Sequence, residues 1–129
     1  MSIKFKYFVT EPFKLKLVEI LKLKDLKEST FQSLRRFQKQ YNAEVTVFSD
    51  RLTEIQKESQ AKIDALPEED KEAKVKELND EFLKKLEDLS ECDSELKPLD
   101  YSVIKECKSV IAPIEMDILE PVLTGVPGE

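Results

Sequence analysis

The pattern of apolar and polar positions begins as a strict alternation and then abandons it. "IKFKYFV", Ile3 to Val9, alternates apolar residues with lysine and is rich in aromatic and branched side chains. This predicts a short strand over residues 3–9, at an edge or half-exposed because of its lysines. In "TEP", Thr10 can accept a hydrogen bond from an early helix amide, Glu11 suits the positive helix terminus and Pro12 fits the first turn, so a helix starts at Thr10. "FKLKLVEILKLKDLKE", Phe13 to Glu28, keeps the alternation only as far as Leu17-Val18 and breaks it again at Ile20-Leu21. Read as helix, Phe13, Leu17, Ile20 and Leu21 share a face, and a short helix over residues 11–23 is preferred to a β-hairpin turning at "TEP".

A heptad seam follows. Positions 31, 34, 38, 41, 45, 48, 52, 55, 59 and 62 read Phe, Leu, Gln, Tyr, Val, Phe, Leu, Ile, Ser and Lys, behind a start signal in which Ser29 or Thr30 can cap. A helix of about 36 residues would be ~54 Å long. Pro67 interrupts it, and Glu68, Glu69 and Asp70 suit the start of a second helix to about Ser90. The short connection predicts an antiparallel hairpin over residues 29–90, turning near Pro67. Its expected core is Phe31, Leu34, Tyr41, Val45, Phe48, Leu52 and Ile55 against Val75, Leu78, Phe82, Leu86 and Leu89. Over residues 96–123, "LDYSVIKECKSVIAP" predicts one or two short strands, one able to pair with Ile3 to Val9. "APIEMDILEPVL" predicts a short helix from Pro113, limited by Pro121. The fold class is therefore mainly α (α+β): a long antiparallel helical hairpin with short terminal β-strands and a short C-terminal helix.

Composition narrows this picture. A chain of 129 residues suits a single domain over 1–129, and 37% charged residues with only two glycines favour long solvated helices over a turn-rich β fold. Charge is unevenly placed: residues 1–40 hold ten Lys/Arg against four acids, and the remaining 89 hold eleven against twenty-three. Such asymmetry can mark nucleic-acid or membrane contact. The preferred reading is that the basic end packs on the chain's own acidic part or on a neighbouring copy. Lys4, Lys6, Lys14, Lys16, Lys22, Lys24, Arg35 and Arg36 at one end, and Glu68, Glu69 and Asp70 at the other, are the candidate partner-binding residues. Phe5, Tyr7 and Phe8 among lysines fit the stacking pattern of single-strand binders, but core aromatics beside solvated lysines account for them more simply, and nucleic acid is not the expected partner.

Candidate chemistry is sparse. Without histidine no Ser-His or Cys-His nucleophile pair can form, and Gly125 and Gly128 lie in the tail, away from any phosphate-cradling loop. The acidic run "EDLSECDSE" lacks the glycine and ligand spacing of a calcium loop. The expectation is a non-enzyme without cofactor or metal. Cys92 and Cys107 read as free thiols in preference to a disulfide across the polar stretch between them. No apolar segment approaches the ~20 residues of a membrane span, and "MSIKFKYF" lacks the apolar run of a signal peptide, so a cytoplasmic protein is expected.

The order of these elements, with the closing "SVIAPIEMDILEPVL", resembles a group of small proteins of tailed bacteriophages that end in a helix similar to "DILEPVL". The resemblance runs from Pro12 to Leu123, and its local motif is Leu119-Glu120-Pro121. It implies a phage accessory or virion structural protein, in the host cytoplasm during infection or incorporated in the virion. Such a protein would act through contacts with itself, with other phage structural proteins or with a host protein. An acidic inhibitor of a host enzyme or defence system is the alternative, and a nucleic-acid-binding accessory protein the third.

Overall fold

A computed structural model of the protein describes residues 2–127. Three helices carry most of the chain: α1 (Glu11–Leu21), α2 (Glu28–Asp64) and α3 (Lys71–Glu91). Two short helices, α4 (Tyr101–Lys105) and α5 (Met116–Leu119), and a parallel pair of two-residue strands, β1 (Leu99–Asp100) and β2 (Leu123–Thr124), complete it. The fold is mainly helical with one small sheet, and the most extensive contact between elements is that of α2 with α3.

Local chemistry sets the element ends. The Thr10 hydroxyl accepts from the Phe13 amide at 3.4 Å and Pro12 sits in the first turn, so α1 begins where the sequence places it. It stops at Leu21, two residues short of the expected end, and Asp25 in the following link adopts the left-handed region at φ 64°. Neither Ser29 nor Thr30 caps α2, which starts at Glu28. Thr30 is buried and its hydroxyl donates to the Glu106 carboxylate instead. Pro67 separates α2 from a 3₁₀ turn at Glu68–Asp70 that leads into α3.

The expected strand at residues 3–9 is replaced by a 3₁₀ turn at Phe5–Tyr7 with a single antiparallel bridge from Lys4 to Asp93. A continuous strand would turn Phe5 and Phe8 to opposite faces, yet both are fully buried, so the chain curls to bring them inside together. Its backbone bonds go to the end of α3: the Phe5 amide donates to the Cys92 carbonyl and the Ser94 amide to the Ile3 carbonyl. The strands expected within residues 99–112 shrink to β1, because the Asp100 carboxylate accepts from the Ser102 amide at 2.8 Å and starts α4. β1 pairs with β2 and not with the N-terminal segment. The C-terminal helix is present in pieces, with 3₁₀ turns at Pro113–Glu115 and Glu120–Val122 flanking α5.

The hydrophobic core gathers Ile3, Phe5, Phe8, Phe13, Leu17 and Ile20 with Leu34, Phe37 and Tyr41 of α2 and with Val103, Ile104, Leu119 and Val122. An aromatic chain runs through it, with ring centroids 5.5 Å apart for Phe5 and Phe48, 6.1 Å for Phe8 and Tyr41 and 5.7 Å for Phe13 and Tyr41. Phe31 leaves the expected core and is 47% exposed. Phe37, off the heptad seam, takes an inner position. The core reaches along α2 only as far as Phe48. Beyond that point α2 continues beside α3 as a rod. Leu52, Ile55, Val75, Leu78, Phe82 and Leu86 are all partly exposed there, and Leu89 is the buried residue of α3.

Candidate interaction surfaces

Part of the basic N-terminal region is neutralised by the chain's own acids. Lys4 and Lys6 both bind Glu91 at the end of α3, at 2.8 and 2.6 Å. Their hydrogen bonds, Lys4 first, hold the Glu91 carboxyl down at about 2. Lys16 is buried within α1. Its ammonium reaches Glu115 at 2.7 Å, Glu19 at 3.0 Å and the Val110 carbonyl at 2.8 Å. The hydrogen bond that the Lys16 ammonium donates to Glu115 raises the Lys16 pKa against the opposing effect of burial. Lys16 therefore ties α1 to the C-terminal segment and is removed from the docking residues. Lys27 approaches Glu106 at 3.6 Å, beside the Thr30 hydroxyl.

The remaining candidates are dispersed. Lys14, Lys22 and Lys24 are exposed on and after α1, and Arg35 and Arg36 are exposed near the start of α2. Arg36 borders a hollow of about 320 Å³ of mixed character, with Gln40, Lys97 and Asp100 beside Phe37 and Leu99. Glu68 and Glu69 are exposed at the far end of the rod and Asp70 is partly covered. A second hollow, of about 270 Å³ and mostly apolar, lies between Tyr101, Ile104, Ile111 and Met116. Among the described residues no group of three or more Cys, Asp or Glu is placed to hold a metal ion, and no helix is long and apolar enough to cross a membrane. Cys107 is buried and its thiol pKa is pushed up to about 11 by that burial, with the Glu106 charge adding to it. Cys92 is exposed, and both thiols are free.

The rod has two unlike sides. On one, Lys62 meets Glu81 at 3.0 Å and Lys85 meets Glu58 at 3.8 Å, bridging α2 to α3. On the other flank of α2, an arc about 80° wide at 100° per residue holds Phe31, Leu34, Gln38, Asn42, Val45, Ser49, Leu52, Gln56, Gln60 and Ile63. None of these is charged, in a chain that is 37% charged. On α3 the flank away from Glu81 and Lys85 carries Val75, Asn79, Leu83, Leu86 and Ser90, with Glu72 at its tip end, and Leu83 is 59% exposed. Phe31, Leu34, Gln38, Val45 and Leu52 of this stripe belong to the heptad seam as well, and the uncharged polar residues beside it, Asn42, Ser49, Gln56 and Gln60, leave no apolar signal in a heptad pattern.

No family model, curated protein or solved structure matches the chain.

Proposed function

We propose that this chain is a non-enzymatic contact protein, a structural or assembly component of the kind the phage resemblance implies, which works by laying its rod against another protein. The supporting observation is the unfinished burial of the rod. Its apolar residues Leu52, Ile55, Val75, Leu78, Phe82 and Leu86 face one neighbour helix and stay partly exposed, as two packed helices without a third layer must. On this reading α2 and α3 form an antiparallel hairpin. The pairing of Glu58 with Lys85 and of Lys62 with Glu81 supports it, since the partner's number falls as the position on α2 rises. The basic end contributes less to contacts, because Glu91, Glu115 and Glu106 already occupy Lys4, Lys6, Lys16 and Lys27.

Light scattering of the purified protein, paired with sedimentation of virions, tests this. A mass that is a multiple of 15.0 kDa, or stoichiometric recovery with virions, is expected. A strict monomer that never co-purifies with virions contradicts it. Exposed Glu68 and Glu69 at the tip favour the second reading, an acidic inhibitor of a host protein. Such a charge-driven complex would weaken steeply with salt, while one made through the uncharged flank would not.

A further inference from the structure

We infer that the face of the rod opposite its ion pairs, uncharged along α2, is the seat of a second copy of this chain, the two rods packing face to face about a two-fold axis. The inference rests on the contact-protein reading and names its partner. With α2 and α3 antiparallel, the ion pairs Glu58–Lys85 and Lys62–Glu81 lie on one face, and the neutral flanks of the two helices fall together on the opposite one. That face presents Asn42, Ser49, Gln56 and Gln60 of α2 beside Asn79 and Leu83 of α3.

Three observations select a second copy as the occupant. Across a two-fold axis a residue meets its own counterpart, so a charged side chain near the axis would meet like charge; the axis is therefore placed along α2, whose half of the face carries none, and away from Glu72, Lys76 and Glu87 on the α3 half. Gln, Asn and Ser side chains both donate and accept hydrogen bonds, so each can satisfy a copy of itself, which lysine or glutamate cannot. The molecule carries a net charge of −6, so two copies repel over most of their surfaces, and the uncharged flank of α2 is where they approach with the fewest like charges opposed. The size also suffices. From Asn42 to Ile63 the face is about 33 Å long, and two helices side by side are about 20 Å across. Joining two such faces would bury about 1,300 Å² in total, within the range of stable dimers. The exposed side chain of Leu83 lies on this face and would be covered by the partner.

Sedimentation equilibrium of the full chain, from micromolar to submillimolar concentration, tests the inference with three variants. Wild type is expected to approach twice 15.0 kDa. Ser49→Glu/Gln56→Glu and, separately, Leu83→Glu place carboxylates on the face at exposed positions and are expected to weaken the dimer by about 100-fold or more, since like charges opposed cost several kcal/mol. Glu54→Lys, outside the uncharged arc, should leave it intact. Circular dichroism checks folding, and if the double variant unfolds, Leu83→Glu alone decides. A wild type that stays monomeric, or face variants (Ser49→Glu/Gln56→Glu, Leu83→Glu) that dimerise as wild type does, overturns the inference. A chain that is monomeric alone yet recovered stoichiometrically with virions overturns the second copy and leaves the contact-protein reading standing.

Discussion

Lys14 and Lys16 lie two residues apart on α1 and have opposite fates. Lys14 is exposed, while Lys16 is buried with its ammonium between Glu115, Glu19 and the Val110 carbonyl. Removing one partner of such a cluster leaves the other charges uncompensated. Lys16→Glu is therefore expected to lower the melting temperature far more than Lys14→Glu, Lys22→Glu or Lys24→Glu, which should act within about 0.5 kcal/mol as ordinary surface changes. Circular dichroism melts of the four variants check this. Phe13→Ala, at a fully buried position of the aromatic chain, should cost about 3–5 kcal/mol. The two thiols should differ as well. Cys92 should react with a thiol reagent in the native protein, and Cys107, buried and held up to about 11, only after denaturation. The fate of Lys16 was not legible in the sequence, because it depends on Glu115, nearly a hundred residues away. Thr30, read as a cap, faces Glu106 by the same kind of distant pairing.

At the scale of elements, short-range chemistry was readable and long-range choice was not. Thr10-Glu11-Pro12 starts α1 and Pro67 separates α2 from α3, since a hydroxyl cap and a missing amide act within a turn. The N-terminal strand failed because alternation at Ile3 and Phe5 is countermanded by Phe8, whose burial needs a curl. The segment is pinned to α3 by backbone bonds and by Lys4 and Lys6 on Glu91. Glu91 sits at about 2 in the folded protein against an ordinary 4.5, so its contribution is present above 4.5 and is lost as pH falls toward 2. Glu91→Gln should remove that part of the acid dependence, and the stability gap between it and wild type should close over that interval. Glu81 and Glu115 are depressed by lysines too, so the variant retains some acid sensitivity. In the link between α1 and α2, Asp25 holds φ 64°, where a branched residue is strained. Asp25→Val should destabilise by about 1–2 kcal/mol and Asp25→Gly by much less, as denaturant midpoints would show.

For the whole molecule, the charge asymmetry that first suggests a bipolar docking protein is partly spent within the chain. Lys4, Lys6, Lys16 and Lys27 pair with Glu91, Glu115 and Glu106, while Lys14, Lys22, Lys24, Arg35 and Arg36 stay exposed, and each helix of the rod is covered along one side by the other. Half-covered apolar residues line its seam, ion pairs bridge one side, and the other side has no charge along α2. The claim that contacts are made by the rod, and not by the basic end, is tested most directly by amide hydrogen exchange on dilute and concentrated protein. Raising the concentration is expected to slow exchange along Ser49–Ile63 and Val75–Leu86 while α1 and its exposed lysines are unchanged. Protection that grows instead around Lys14, Lys22 and Lys24, or exchange that ignores concentration throughout the rod, would contradict it.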